Sequence, residues 1–181
     1  MKQLCVEYGY TSLNHYGEEL CGDNVEMTSD GEWTTLVLAD GLGSGVKANI
    51  LSTLTSKILC TMVAGGADLE DCVSTIIQTL PVCKERGVAY STFSIIHVNN
   101  EGRGHLFEFD NPEAVWYHHR HTCDFPRTEM NIFDKRVFVT EWELDEGDMV
   151  FVMSDGTIHA GIGQMLNFGW QRKEIMEHLD H

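Results

Sequence analysis

No run of apolar residues in this chain of 181 approaches the ~20 that a membrane-spanning helix requires. Basic residues are scarce as well: 12 Lys and Arg against 28 Asp and Glu leave a formal net charge of −16. Nucleic acids and anionic membrane surfaces reward a basic face, so neither is expected as a partner. The opening residues carry no signal-peptide hydrophobic core. The six cysteines, at positions 5, 21, 60, 72, 83 and 123, form no Cys-x-x-Cys pair, which removes zinc-ribbon and dithiol redox motifs. A reduced, cytoplasmic protein is the expectation. Nucleophile and nucleotide signatures are missing too. Leu42-Gly43-Ser44-Gly45-Val46 misplaces both glycines of a Gly-x-Ser-x-Gly elbow. Gly41 to Lys47 matches neither the phosphate-loop nor the dinucleotide glycine spacing.

What is present is ordinary globular material, 43% hydrophobic and 22% charged. A chain of this size buries about 70% of its unfolded surface, so it builds a core without staples. Residues 1–181 read as one α+β domain, mostly antiparallel. Leu4, Val6 and Tyr8 alternate as in a half-buried strand. Trp33 to Ala39 reads as a buried strand that stops at Asp40. Ile50, Leu51, Leu54, Ile58, Leu59, Met62 and Val63 then recur at helical spacing, with Cys60 on the apolar face and Gly65-Gly66 as the stop. A second helix carries Leu69, Cys72, Val73, Ile76, Ile77 and Leu80 on one face, with Asp68 and Asp71 at its start and Pro81 at its end. Ala89 to Val98, His105 to Phe109, Ala114 to His118, Arg136 to Trp142 and Met149 to Met153 are further strand candidates. Helical spacing returns after Gly163, at Ile175 and Leu179.

The candidate chemistry lies at strand ends. Asp40 terminates an apolar strand and opens a loop with glycines at 41, 43 and 45. A sheet fixes such a carboxylate in position, and glycines let the backbone approach an ion closely. Asp155 repeats the arrangement, since Val150-Phe151-Val152-Met153 leads into Ser154-Asp155-Gly156. Two such aspartates suggest carboxylates converging on a hard divalent cation. Asp23, in Cys21-Gly22-Asp23-Asn24, is a third candidate. Asp-Gly also forms plain turns, and either pair alone is open to that reading. His118-His119-Arg120-His121 with Cys123 reads as a solvated hairpin rather than a zinc site, because neighbours on a strand face opposite ways. Cys21 and Cys83 lack the basic setting of a reactive thiol.

The order Gly22-Asp23-Asn24, Leu38-Ala39-Asp40-Gly41-Leu42-Gly43-Ser44-Gly45-Val46-Lys47-Ala48, then Gly147-Asp148-Met149-Val150-Phe151-Val152-Met153-Ser154-Asp155-Gly156 resembles the metal-dependent PPM-type serine/threonine phosphatases. The likeness is nearest to their bacterial branch typified by stage II sporulation protein E, and Ala89-Tyr90-Ser91-Thr92-Phe93 falls where that family has a core strand. The resemblance implies a four-layer α-β-β-α sandwich, with two antiparallel sheets between helices and two Mn²⁺ or Mg²⁺ ions in a cleft at one edge. By the same resemblance Asp40 bridges both ions, Gly41 contacts one through its backbone carbonyl, Asp155 is a further ligand, and Asp23 falls at the first acidic motif. Asp40 and Asp155 would be the catalytic carboxylates.

The implied activity is hydrolysis of phosphoserine or phosphothreonine by a metal-activated water, which needs no protein nucleophile. The implied partner is a phosphorylated regulatory protein such as an anti-anti-sigma-type domain. The family's last acidic motif has no counterpart before His181, and no Arg precedes Arg86 to hold phosphate. The sandwich is therefore expected to lack its last elements. The alternative is a non-catalytic regulatory or binding module with the same fold and an incomplete metal site.

Overall fold

A single aspartate shapes the first hairpin. Asp30 accepts the backbone N–H groups of Glu32 at 2.9 Å and Trp33 at 2.7 Å, closing a side-chain turn between Asp23–Ser29 (β1) and Trp33–Gly41 (β2). The structure is a computed structural model that describes residues 3–14, 16–80, 91–162 and 168–181. Along β2 burial alternates strictly, with Thr35, Val37, Ala39 and Gly41 buried. Val37 and Ala39 pack against helices, so Leu36, Leu38 and Asp40 point to the opposite face.

Four more strands extend this sheet: Ser91–Asn99 (β3), Arg103–Phe109 (β4), Thr128–Ile132 (β7) and Lys135–Glu143 (β8). Their order is β1-β2-β3-β4-β8-β7, antiparallel throughout. Val115–His118 (β5), His121–Cys123 (β6) and Met149–Phe151 (β9) form a second, antiparallel sheet in the order β6-β5-β9.

Two cores separate the layers. Gly45–Ala64 (α1) and Leu69–Thr79 (α2) pack Leu59, Cys60, Cys72, Val73, Ile76 and Ile77 onto Val37, Phe93, Ile95, Phe107 and Phe109 of the large sheet. On the other face Leu106 and Trp142 meet Trp116 and Val150 of the small sheet, with Ala114 and Phe125 between them. The short Asp155–Ile158 (α3) follows β9, and Arg172–Leu179 (α4) lies against β6, where Asp180 accepts the Thr122 N–H at 2.6 Å. The order of layers is thus α-β-β-α, as the resemblance implied.

Several elements depart from the pattern in the sequence. Leu4 and Val6 are half-buried, yet residues 3–10 form no strand; the Leu4 N–H instead donates to the Asn100 carbonyl at 2.7 Å, outside any ladder. Along α1 the inward face is built from Ala48, Ser52, Thr55, Ser56, Leu59 and Cys60, while Ile50, Leu54 and Ile58 are about half exposed. The reason is the close seat of this helix on β1 and β2, where only small side chains fit. The strands β1, β6 and β7 carry no clear alternation of apolar residues and were not legible. Pro81, Cys83, Arg86, Ala89, Tyr90 and Gly163 lie outside the described residues.

Candidate metal centre

Strand register sets the site. Asp23 stands opposite Asp40, and Asp40 opposite Thr92, so the three form a row across the ends of β1, β2 and β3 on the face turned toward the small sheet. The Gly41 N–H donates to the Gly22 carbonyl at 3.1 Å and prolongs the ladder past both aspartates. Beyond Gly41 the chain turns into α1 through Gly43 and Gly45, at φ +98° and +67°, a region that favours glycine. Gly41 itself is required for another reason. A Cβ there would stand 2.0 Å from the Ala48 carbonyl oxygen, because the first turn of α1 rests on the strand end. Gly22 is not confined in this way: a Cβ there would meet the Ala48 Cβ at 3.4 Å and the Gly41 carbonyl oxygen at 3.8 Å, ordinary contact distances.

The third aspartate arrives from the other sheet. Asp155 opens α3 directly after β9, and the preceding Ser154 donates its hydroxyl to Asp23 Oδ2 at 2.7 Å. Asp40 lies within hydrogen-bonding reach of both Asp23 and Asp155. Burial, then the negative charge of Asp23, then that of Asp155, push the Asp40 carboxyl up to about 8. The structure therefore brings Asp23, Asp40 and Asp155 into one cluster.

The donor set suits a hard cation. Carboxylate oxygens and a backbone carbonyl are the ligands that Mg²⁺ and Mn²⁺ prefer. Burial and the carboxylates of Asp23 and Asp155 favour the protonated form of Asp40, and a cation here would relieve the same repulsion. Among the described residues no group of three or more His, Cys, Asp or Glu is set up around an ion-sized centre.

Sequence reasoning missed part of the surroundings. Thr92, beside Asp40 in the register, donates to Asn111 Oδ1 at 2.6 Å, and Asn111 donates on to Ser94 at 3.0 Å. Cys21 Sγ accepts the Asp23 N–H at 3.4 Å, and the Asn49 side chain donates to the Cys21 carbonyl at 2.9 Å. These short polar residues have no spacing signature; their roles appear only when distant strands meet. Arg127 is tied to Glu108 and Glu113, lying 4.0 Å over the Phe138 ring. Arg172 binds Asp124 at 2.7 Å and the carbonyls of Glu113 and Ala114. Both arginines thus clamp the β4–β5 connection.

The histidines form a hairpin, as expected, but with different geometry. His119 and Arg120 occupy a two-residue turn at φ 51° and 69°, so the His118 and His119 rings stack at 3.7 Å instead of facing opposite ways. His118 Nδ1 is engaged by Asp148 at 2.7 Å. Cys5, Cys21, Cys60, Cys72 and Cys123 are free thiols, and burial pushes Cys60 up to about 12, far from thiolate chemistry. Among the described residues no helix is long and apolar enough to cross a membrane.

Comparison with known proteins gives this arrangement a context. The family described as Stage II sporulation protein E (SpoIIE) matches residues 30–180. A comparison with curated protein sequences finds no match. Among solved structures, the PP2C phosphatase domain with a regulatory fragment of SpoIIE from Bacillus subtilis is 18% identical at TM-score 0.72, covering 93% of this chain and 55% of that one. The RsbU and RsbW domains of Rv1364c from Mycobacterium tuberculosis are 17% identical at TM-score 0.71, covering 92% and 47%. RsbX in complex with magnesium is 20% identical at TM-score 0.63, covering 93% and 83%. At such identities the likeness concerns the fold, which is that of the PP2C phosphatases. The chain spans about half the length of the first two.

Proposed function

The chain belongs to the stage II sporulation protein E family, and from that membership we propose that it is a metal-dependent phosphoprotein phosphatase acting on phosphoserine or phosphothreonine. The observation that carries the reading is the meeting of Asp23 and Asp40, at the ends of β1 and β2, with Asp155 at the start of α3. Asp40, which interacts with both of the others, would be the central ligand. Asp23, Asp155 and the Gly41 carbonyl complete the set that would hold Mn²⁺ or Mg²⁺. Such ions, when bound, acidify water and offset charge on phosphoryl oxygens. The chain's own part is to place the three carboxylates together at the ends of β1 and β2 and the start of α3, where they would hold such an ion. The partner is a phosphorylated regulatory protein, for which an anti-anti-sigma-type domain is the first candidate. The pairing of RsbU and RsbW domains in one of the solved neighbours supports a regulatory system of this kind.

The test is Mn²⁺-dependent release of phosphate from a phosphoserine peptide by the full chain. Asp40→Asn and Asp155→Asn are each expected to abolish it, and turnover surviving in the doubly substituted protein overturns the mechanism. The second reading, a non-catalytic module with the same fold, is favoured by one observation: among the described residues no acidic or imidazole group stands ready around an ion. Calorimetric titration with Mn²⁺ separates the two, since saturable heat that Asp40→Asn removes belongs to the phosphatase alone.

A further inference from the structure

We propose that Ser154 is a positioning residue for the carboxylate cluster, holding Asp23 in the orientation a divalent cation needs and setting its distance from Asp155; the proposal rests on the metal-centre reading above. Ser154 occupies the N-cap of α3, with φ −83° and ψ 170°. A serine there ordinarily accepts an N–H from the first turn of its own helix, which is why the residue type is favoured at that place. Ser154 makes no such bond. Its one hydroxyl proton goes instead to Asp23 Oδ2, at 2.7 Å and 131 positions away in the chain. Only 7% of the residue is exposed, so water does not substitute for that partner. A short O–H···O⁻ contact of this kind is charge-assisted and directional.

The position of Asp23 explains what the contact does. It is the first residue of β1, opposite Asp40 in the register. The serine hydroxyl fixes one oxygen of this carboxylate and leaves the rest of the group beside Asp40. The residue after Ser154 is Asp155, so the same bond also ties the small-sheet loop to the end of the large sheet. Outer partners that orient ligating carboxylates are worth about 10–100-fold in metal affinity.

The experiment is Mn²⁺ titration of the full chain followed by loss of the free-ion electron paramagnetic resonance signal, for wild type, Ser154→Ala, Ser154→Thr and Asp40→Asn, with melting curves in chelator. Ser154→Ala is expected to weaken Mn²⁺ binding about 10–100-fold. Its metal-free melting temperature should fall by no more than about 4 °C, the effect of one ordinary hydrogen bond at this chain length. Ser154→Thr, which keeps the hydroxyl, should restore most of the affinity. Wild-type affinity in Ser154→Ala overturns the proposal. So does an affinity loss that Ser154→Thr fails to restore and that follows a large drop in metal-free melting temperature. If wild type binds Mn²⁺ and Asp40→Asn does not, the metal-centre reading stands whichever way Ser154 behaves. If wild type takes up no Mn²⁺, that reading falls and the proposal with it.

Discussion

Substituting Gly41 by alanine tests how tightly the candidate metal centre is fastened to the helix behind it. The added Cβ would meet three backbone atoms of Ala48, its oxygen at 2.0 Å, its carbonyl carbon at 2.6 Å and its Cα at 2.8 Å. Relief requires α1 to withdraw from β2 by about 1 Å, since Cβ atoms essentially never approach closer than 3.0 Å. Overfilling a packed interior costs about 1–3 kcal/mol. Here the obstacle is the backbone of a 20-residue helix and not a side chain that swings aside, so the upper figure, about 3 kcal/mol, applies. In a chain of this size that lowers the melting temperature by about 6–12 °C. Gly22→Ala is the control from the same corner of the fold. Its nearest neighbour would be the Ala48 Cβ at 3.4 Å, ordinary contact, and its effect should stay within about 0.5 kcal/mol. Thermal or urea unfolding of both variants reads the difference directly. Gly41→Ala melting within about 2 °C of wild type would refute the argument that this strand end and this helix are locked together.

Other consequences follow from the same geometry. The Asp40 carboxyl is raised to about 8 from an ordinary 3.8, so its contribution to metal-free stability is full below about pH 4 and is lost as pH rises through about 8. Melting in chelator should therefore be lower at pH 9 than at pH 5, and Asp40→Asn should shrink that difference; an unchanged difference excludes the carboxylate cluster as its source. Mn²⁺ at 100 times its dissociation constant should stabilise the wild type by about 2.7 kcal/mol, raising the melting temperature by about 5–11 °C, and should leave Asp40→Asn unmoved. Leu59→Ala, at a fully buried position on α1, should cost about 2–5 kcal/mol in urea unfolding, against about 0.5 kcal/mol or less for Ile50→Ala on the exposed side. Asp68→Ala removes the side chain that caps α2 through Glu70 and Asp71 and should cost about 1 kcal/mol in the same assay.

How much of this the sequence disclosed depends on whether the relevant signal is local. The strand from Trp33 and the helix with Cys72, Val73, Ile76 and Ile77 inward were legible because one period runs through each without interruption. The helix from Gly45 was legible as a helix but not in its orientation. Its longest aliphatic side chains point outward, and a close helix–sheet contact is made by alanine, serine and threonine. Hydrophobicity measures what a residue gains by burial, whereas this contact is decided by what fits. Leu4 and Val6 show the converse: the alternation is genuine in their burial, but no neighbouring strand takes up the backbone hydrogen bonds. Asp40 and Asp155 stood out because glycines follow them at strand ends. Thr92, Asn111 and Cys21 did not, because nothing along the chain marks a residue whose partner is supplied by register.

The layer order explains why the carboxylates meet where they do. Along β2, Val37 and Ala39 face the helices, so the next residue, Asp40, necessarily faces the second sheet, and the antiparallel register carries Asp23 to the same side. An aspartate one place earlier or later would have pointed into the apolar layer beneath α1, with no partner to hold it ionised. The small sheet then delivers Asp155 from the opposite wall, as β9 gives way to the loop that Ser154 fastens to Asp23. Three acids thus converge on a region that only partly excludes water, and the charges that act most on Asp40 are those of Asp23 and Asp155. Such a cluster opposes metal-free folding at high pH, when the proton on Asp40 is lost. An amide at the Asp40 position removes that opposition, so Asp40→Asn should melt higher than wild type in chelator at pH 9.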